Sequence, residues 1–349
     1  MKDRNLTGDK PCSCIRLKTG VTAILALLIM SLPAAHAGPE SGTGKDRPVH
    51  LGVVAFIGEA VNFHALHKGY FKQEGLNLKV HINPSGKNSL HKLVNGELDI
   101  CTAETVPVVY NAMKGGGGLP EFKIVASILE SSGMNNLVLA DVRKTPSVKD
   151  LSGKTLALAK GTSSDYSWYM FALMHGIDTS KIKIMDMPVP DMPEAAASGM
   201  IDAAVAWTPY HKHILENVSP HGKSIQIKRV YTTNWLVLAR PELLNDRPEA
   251  VSKYLAALLR SERDFLKDPE NVARSHSEYV AQTVSELMEG YSRLRVDLSL
   301  TETTLINLYK TAYWAKQNGY AKGPIPDFRS FMDKDPLLNL SPRSVRLLQ

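Results

Sequence analysis

"NGELDICTAETVP", residues 95–107, carries a glycine corner, a short apolar run, and then Thr102, Glu104 and Thr105. The cadence returns as "SGMIDAAVAWTPY", residues 198–210, with Trp207 and Thr208 in the matching place. A short apolar run bounded by turn residues suits a buried strand, and the polar residues behind it stand where the chain turns into a helix. Two copies of one device imply two similar halves that face something between them.

The neighbouring sequence repeats the alternation. "VHLGVVAF" (49–56) is a β-branched strand, and Phe63, Leu66, Tyr70 and Phe71 then recur at helical spacing. "LNLKVHI" (76–82) alternates as a strand, and Leu90, Leu93 and Val94 share one face of a helix that Gly96 can stop in a left-handed cap. In the second half, "KTLALAK" and "KIKIMDM" are strands around "GTSSDYSWYMFALMHG", a helix with polar caps that closes at Gly176. "WLVLAR" (235–240) reads as the last buried strand, with only amphipathic helices from Pro248 onward. Strand–helix alternation of this kind predicts wound α/β sheets, with extended crossings between the halves near 134–141 and 230–236.

The first 37 residues read as a leader. Five Lys/Arg precede the 12-residue apolar run from Val21 to Leu32, and Ala35-His36-Ala37 supplies a small-x-small cleavage site. The run is shorter than the roughly 20 residues that cross a bilayer, and no Cys follows it to accept a lipid. Removing 37 of 349 residues leaves 312, enough for two lobes. The leader also holds two Asp/Glu, so the net charge drops from +6 to +3. That mild excess, with no basic run interleaved with aromatics, gives no support for nucleic acid as a partner. Cys12 and Cys14 leave with the leader, and Cys101, alone in an apolar strand, reads as a buried thiol.

In wound sheets, ligands sit beyond the carboxyl ends of strands, where loops enter helix N-termini. Those positions are Phe56 to Glu59, Thr102 to Thr105, Glu130 to Ser132, Gly161 to Asp165 and Trp207 to Tyr210, with Thr233, Asn234 and Trp235 at the second crossing. "KGTSSD" opens a helix with amides and hydroxyls suited to an anion, or it is plain capping by Ser163 or Ser164. Trp207 is either an aromatic wall or core. Glu59, Glu104 and Asp165 are either caps or a converging set that would attract an amine; Lys160 is the nearest candidate cation.

Catalytic and metal readings are poorer. His64 and His67, and His211 and His213, lack a partner at metal spacing and read as surface histidines. There is no G-x-S-x-G elbow, and "GGGG" (115–118) lacks the Lys-Ser/Thr of a phosphate loop.

"KGYFKQEGLNLKV", "NGELDICTAETVP", "LSGKTLALAKGTSSDYSW", "GMIDAAVAWTPY" and "DPENVA", in that order, resemble periplasmic solute-binding proteins of the nitrate/sulfonate/taurine ABC-importer family. That family includes pyrimidine-precursor binders and shares its fold with the yeast thiamine-pyrimidine synthase. The resemblance implies a two-lobed periplasmic-binding-protein fold of type II, each lobe a wound sheet flanked by helices, joined by a two-strand hinge. Lobe 1 would be residues 48–136 with 236–349, and lobe 2 residues 137–235. The implied ligand set is Glu59, Thr102, Glu104, Thr162, Ser163, Ser164, Asp165, Trp207, Thr208, Tyr210 and Asn234, with no catalytic residue, metal or cofactor. Thr208 stands where sulfonate binders often place Asp, and Ala103-Glu104 where they often carry Gly-Asp or Gly-Ser, which points away from a plain alkanesulfonate.

The expectation is therefore an exported, monomeric protein that hands a small solute to an inner-membrane ABC permease. The solute would bear an amine or ring N–H donors beside an anionic group held by Thr162 to Ser164. A synthase-like enzyme and a periplasmic sensor domain are the competing readings. The leader and the single mature Cys argue against the first, since the synthases are cytosolic and use a Cys-rich segment.

Overall fold

The computed structural model describes residues 47–114 and 120–347. The leader and the Gly115–Gly118 loop lie outside the described residues. Twelve strands fall within them: β1 Val49–Val54, β2 Leu78–Asn83, β3 Ile100–Glu104, β4 Lys123–Ser131, β5 Asn135–Leu139, β6 Thr155–Leu158, β7 Lys183–Asp186, β8 Ala203–Trp207, β9 Lys223–Ile227, β10 Thr233–Ala239, β11 Leu294–Thr301 and β12 Val345–Arg346. No helix among the described residues is long and apolar enough to cross a membrane.

The strands form two mixed sheets. The first has the order β12-β11-β4-β10-β3-β1-β2 and the second β7-β6-β8-β5-β9. In the first, β2, β1 and β3 run parallel and β10 lies antiparallel against β3. In the second, β7, β6 and β8 run parallel and β5 lies antiparallel against β8. The two repeated sequence devices are therefore one place in two copies of a topology. β3 and β8 are the third of three parallel strands, and each borders the antiparallel one.

Burial on both faces explains why these strands read as unbroken apolar runs. Along β5, Leu137 and Leu139 pack on one side of the second sheet and Val138 on the other, as period-two geometry requires. The larger core lies around the first sheet, where Leu51, Val53, Ile100, Ile124 and Val237 are fully enclosed.

The chain passes between the sheets twice, between Ser131 and Asn135 and between Ile227 and Thr233. Both passages are shorter than the sequence suggests. Residues 135–139 are already β5, and Thr233–Trp235, expected in the second lobe, belong to the first sheet by pairing with β4 and β3. Every residue of both strands is buried, so 135–139 and 233–236 are core strands, while Met134 and residues 230–232 of the expected crossings do lie in the two passages.

A second correction concerns β11. The region after Pro248 is not all helix, because Leu294–Thr301 pairs antiparallel with β4. Val296, Leu298 and Leu300 are buried and alternate in sequence with Arg295, Asp297 and Ser299, of which Ser299 is buried as well, a period of two that the surrounding helices obscure.

Two helix starts position the site. The helix Gly86–Val94 is capped by Ser85, whose side chain accepts from the Asn88 amide. The helix Ser163–Met174 is capped by Thr162, whose side chain accepts from the Ser164 amide.

Candidate functional site

A cavity with about 600 Å³ of non-atom space, part of it open to solvent, lies where the strand ends of the two sheets meet. Val54, Phe56, Glu104, Leu129, Thr233 and Trp235 line it from the first sheet, and Ser85, Gly86 and Lys87 from the start of the Gly86 helix. Trp207, at the end of β8, closes it from the second lobe together with Thr162 and Ser163 at the start of the Ser163 helix. Pro107 and Met134 complete the lining.

Glu104 is the carboxylate in this cavity. Its Oε2 accepts from the Val106 amide at 2.9 Å, in the first turn of the helix Thr105–Lys114, and its Oε1 accepts from the Thr233 hydroxyl. Burial raises its pKa to about 7 against the pull of these two bonds, so near neutral pH it exists in both forms.

Lys87 is the cation. Its Nζ donates to the Lys160 carbonyl at 2.9 Å, tying the Gly86 helix of the first lobe to the loop before the Ser163 helix of the second. Lys160, the nearest candidate cation in the sequence, precedes the loop as expected and contributes that carbonyl rather than lining the cavity. Gly86 lets the start of its helix pack closely on β3: a Cβ there would lie 2.9 Å from the Ala103 Cα.

Four of the expected residues line the cavity, namely Glu104, Thr162, Ser163 and Trp207. The others are placed behind it or beside it. Glu59 is fully buried; its Oε1 accepts from the Thr102 hydroxyl, from Trp235 Nε1 at 3.1 Å and from the Val54 amide at 3.3 Å, and its Oε2 from Asn62 Nδ2 at 2.6 Å. Burial raises its pKa to about 7 despite those four donors. Glu59 and Thr102 thus form a polar post beneath Trp235.

Asp165 is likewise engaged, accepting from the Gly161 amide at 3.0 Å and from the Tyr320 hydroxyl at 2.9 Å, with burial raising its pKa. Ser164 donates to the Val205 carbonyl at 2.7 Å and fixes its helix to β8. Asn234 bonds Ser127 at 3.1 Å and Asn307 at 2.9 Å inside the first lobe. Thr208 is buried, and Tyr210 sets its ring nearly perpendicular to Trp207, 6.4 Å away. The three carboxylates therefore do not converge on one cleft.

Lys87 and Ser85 were absent from the expected positions, whereas Phe56, Thr233 and Trp235 stood among the strand-end positions but outside the implied ligand set. "INPSGKNSL" (82–90) held the signal, a strand followed by a Ser cap and a Lys in the first turn.

The histidines also depart from expectation. His64 and His211 are buried rather than on the surface. His64 bonds Ser275 at 2.5 Å and Asp264 at 3.1 Å, an arrangement resembling a Ser–His–Asp relay. Ser275 is itself buried and its hydroxyl is directed to the carbonyls of Asn271 and Val272, which makes this a packing network between helices. Among the described residues no group of three or more His, Cys, Asp or Glu could hold a metal ion. Cys101 is buried, and burial pushes its thiol well up.

Two wound sheets joined by two crossings around a shared cleft are the fold of periplasmic binding proteins. The chain belongs to the NMT1/THI5-like family, whose model matches residues 60–272. It is 25% identical over 313 residues to a protein of Brucella abortus (strain 2308) named only as a binding protein, covering 87% of this chain and 92% of that one. It is 24% identical over 247 residues to a Bacillus subtilis (strain 168) protein named for binding aliphatic sulfonates, covering 68% and 71%. Among solved structures, the periplasmic aliphatic sulphonate binding protein SsuA of Escherichia coli superposes with a TM-score of 0.64 at 17% identity, over 81% of this chain and 96% of SsuA.

Proposed function

We propose that this protein is the exported solute-binding component of an ABC importer, closing its two lobes on one small polar solute and presenting it to an inner-membrane permease. The observation that carries the reading is the composition of the cavity from both lobes, with Glu104 on the first sheet and Trp207 on the second, at equivalent strand ends. A solute touching both bridges the lobes and shifts an open–closed equilibrium toward closed. The named relatives, all binding proteins, support the same role.

The polar groups divide the cavity into two ends. Lys87 and the helix starts at Ser85–Gly86 and Thr162–Ser163 suit an anionic group, since orphan amides and a positive dipole end face it. Glu104 suits an amine or ring N–H. With Glu59 and Asp165 engaged elsewhere, one titrating carboxyl opposes the anion rather than three. A sulfonate-like solute with a donor group, such as an amino-sulfonate, fits both ends, and the solute names of the relatives agree with the anionic end.

The test is calorimetry on protein purified from the periplasm with taurine, ethanesulfonate, nitrate and an aminopyrimidine. Binding at one site per chain is the expected outcome for taurine, and at 100 times its dissociation constant it stabilises the fold by about 2.7 kcal/mol. Failure of every solute to bind or to raise the melting temperature contradicts the reading.

A further inference from the structure

The walls of the cleft bear on the body of the solute, between its two polar ends. The rings of Phe56, Trp207 and Trp235 line the cavity, with Leu129 and Met134 filling gaps between them. Trp235 turns its single donor away from the space, because Nε1 bonds Glu59 at 3.1 Å below it. Phe56 lies 4.6 Å from Trp235, centroid to centroid, tilted by 55°.

These rings are seated by the backbone. A Cβ on Gly58 would fall 2.3 Å from Phe56 Cζ, and one on Gly86 would fall 3.3 Å from Trp235 Cη2. Glycine at both positions makes room for the ring walls. The buried post of Glu59, Asn62 and Thr102 then fixes the indole from beneath.

We infer that the cleft selects a solute with an aromatic ring as its body, set between Phe56 and Trp235 on one lobe and Trp207 on the other. The inference rests on the solute-binding role proposed above and adds the chemical class of the part the polar ends do not read. A polyol body is disfavoured between the walls, because Phe56, Leu129 and Met134 offer its hydroxyls no strong partner and the Trp235 donor is already bonded to Glu59. A flexible alkyl chain of equal carbon count loses rotamer freedom on binding that a ring does not, and it lacks the edge and face that aromatic walls recognise.

The test compares benzenesulfonate, 1-hexanesulfonate and ethanesulfonate by calorimetry on the periplasmic protein, so that the head group is constant. Benzenesulfonate should bind at least tenfold more tightly than either. Hexanesulfonate or ethanesulfonate binding as tightly overturns the aromatic inference while leaving the binding role intact. Silence from all three and from taurine, nitrate and the aminopyrimidine overturns both. In Phe56→Leu, which keeps an apolar side chain and removes the ring, benzenesulfonate should weaken at least fivefold while hexanesulfonate changes less than twofold. An equal loss for both overturns the inference. If Phe56→Leu lowers the melting temperature too far to assay, Trp207→Leu at the half-buried wall gives the same comparison with the same two outcomes.

Discussion

Glu104 and Trp207 end equivalent strands of the two sheets. Each pairs near the start of an antiparallel strand that has just crossed from the other lobe, Glu104 opposite Trp235 and Trp207 opposite Asn135. The cleft is thus built where the chain changes lobes.

Trp207 is half-buried, packed edge-on against Tyr210 and open to the cavity. Trp207→Ala should weaken solute binding at least tenfold. Its cost in urea unfolding should stay below the roughly 3 to 5 kcal/mol of deleting a fully buried Trp. Unchanged affinity with the full stability loss would make Trp207 a core residue.

Glu104 should make binding depend on pH, in opposite directions for two solute types. As pH rises through about 7 the carboxyl ionises, so an amine-bearing solute gains affinity and a purely anionic one loses it. Glu104→Gln should cost the amine-bearing solute at least tenfold and remove both trends. Tighter amine binding in Glu104→Gln would contradict the assignment.

Lys87 should act only on solutes with negative charge. Lys87→Met keeps the stem and removes the ammonium, and anionic solutes should weaken at least tenfold, about 1.4 kcal/mol. Neutral solutes should be unaffected at constant ionic strength. An equal loss for both would mean that the bond from Lys87 to the Lys160 carbonyl matters through closure alone.

Glu59 predicts a stability trend rather than a binding trend. Its folded pKa of about 7 lies above the ordinary 4.5 of an unfolded Glu. Below pH 4.5 both states hold the proton and there is no penalty. Between 4.5 and 7 the unfolded chain releases its proton first, so stability falls as pH rises and levels above 7. The loss is about 3 kcal/mol, and because Glu104 is raised to the same value and titrates in the same window, Glu59→Gln should remove about half of the fall in the urea-unfolding profile there. A profile with the same slope in the variant would assign it to other groups.

β1, β3, β4, β8 and β10 were legible because they are mostly buried on both faces, and the repeated cadence marked the equivalent ends of β3 and β8, whereas β9, half exposed, carries no such run. β11 was not, since half of its residues are charged or polar and helices flank it. Acidic residues at strand ends showed where side chains gather but not which way they point. The donors that hold Glu59 down are Thr102 and Trp235, which lie 43 and 176 residues away in sequence. Only the assembled sheet brings them together. Lys87 was within reach, because the rule that selected Gly161 to Asp165 applies equally to Ser85-Gly86-Lys87 after β2.

The most direct measurement of the central claim is calorimetry of one solute with the native protein and with Ser163→Trp, which fills the cleft from the start of the Ser163 helix. One site per chain is expected in the native protein and at least a hundredfold loss in Ser163→Trp, with the unliganded melting temperature held within a few degrees. Equal affinity in the two proteins would contradict the claim, because the solute would then be bound somewhere other than between the lobes.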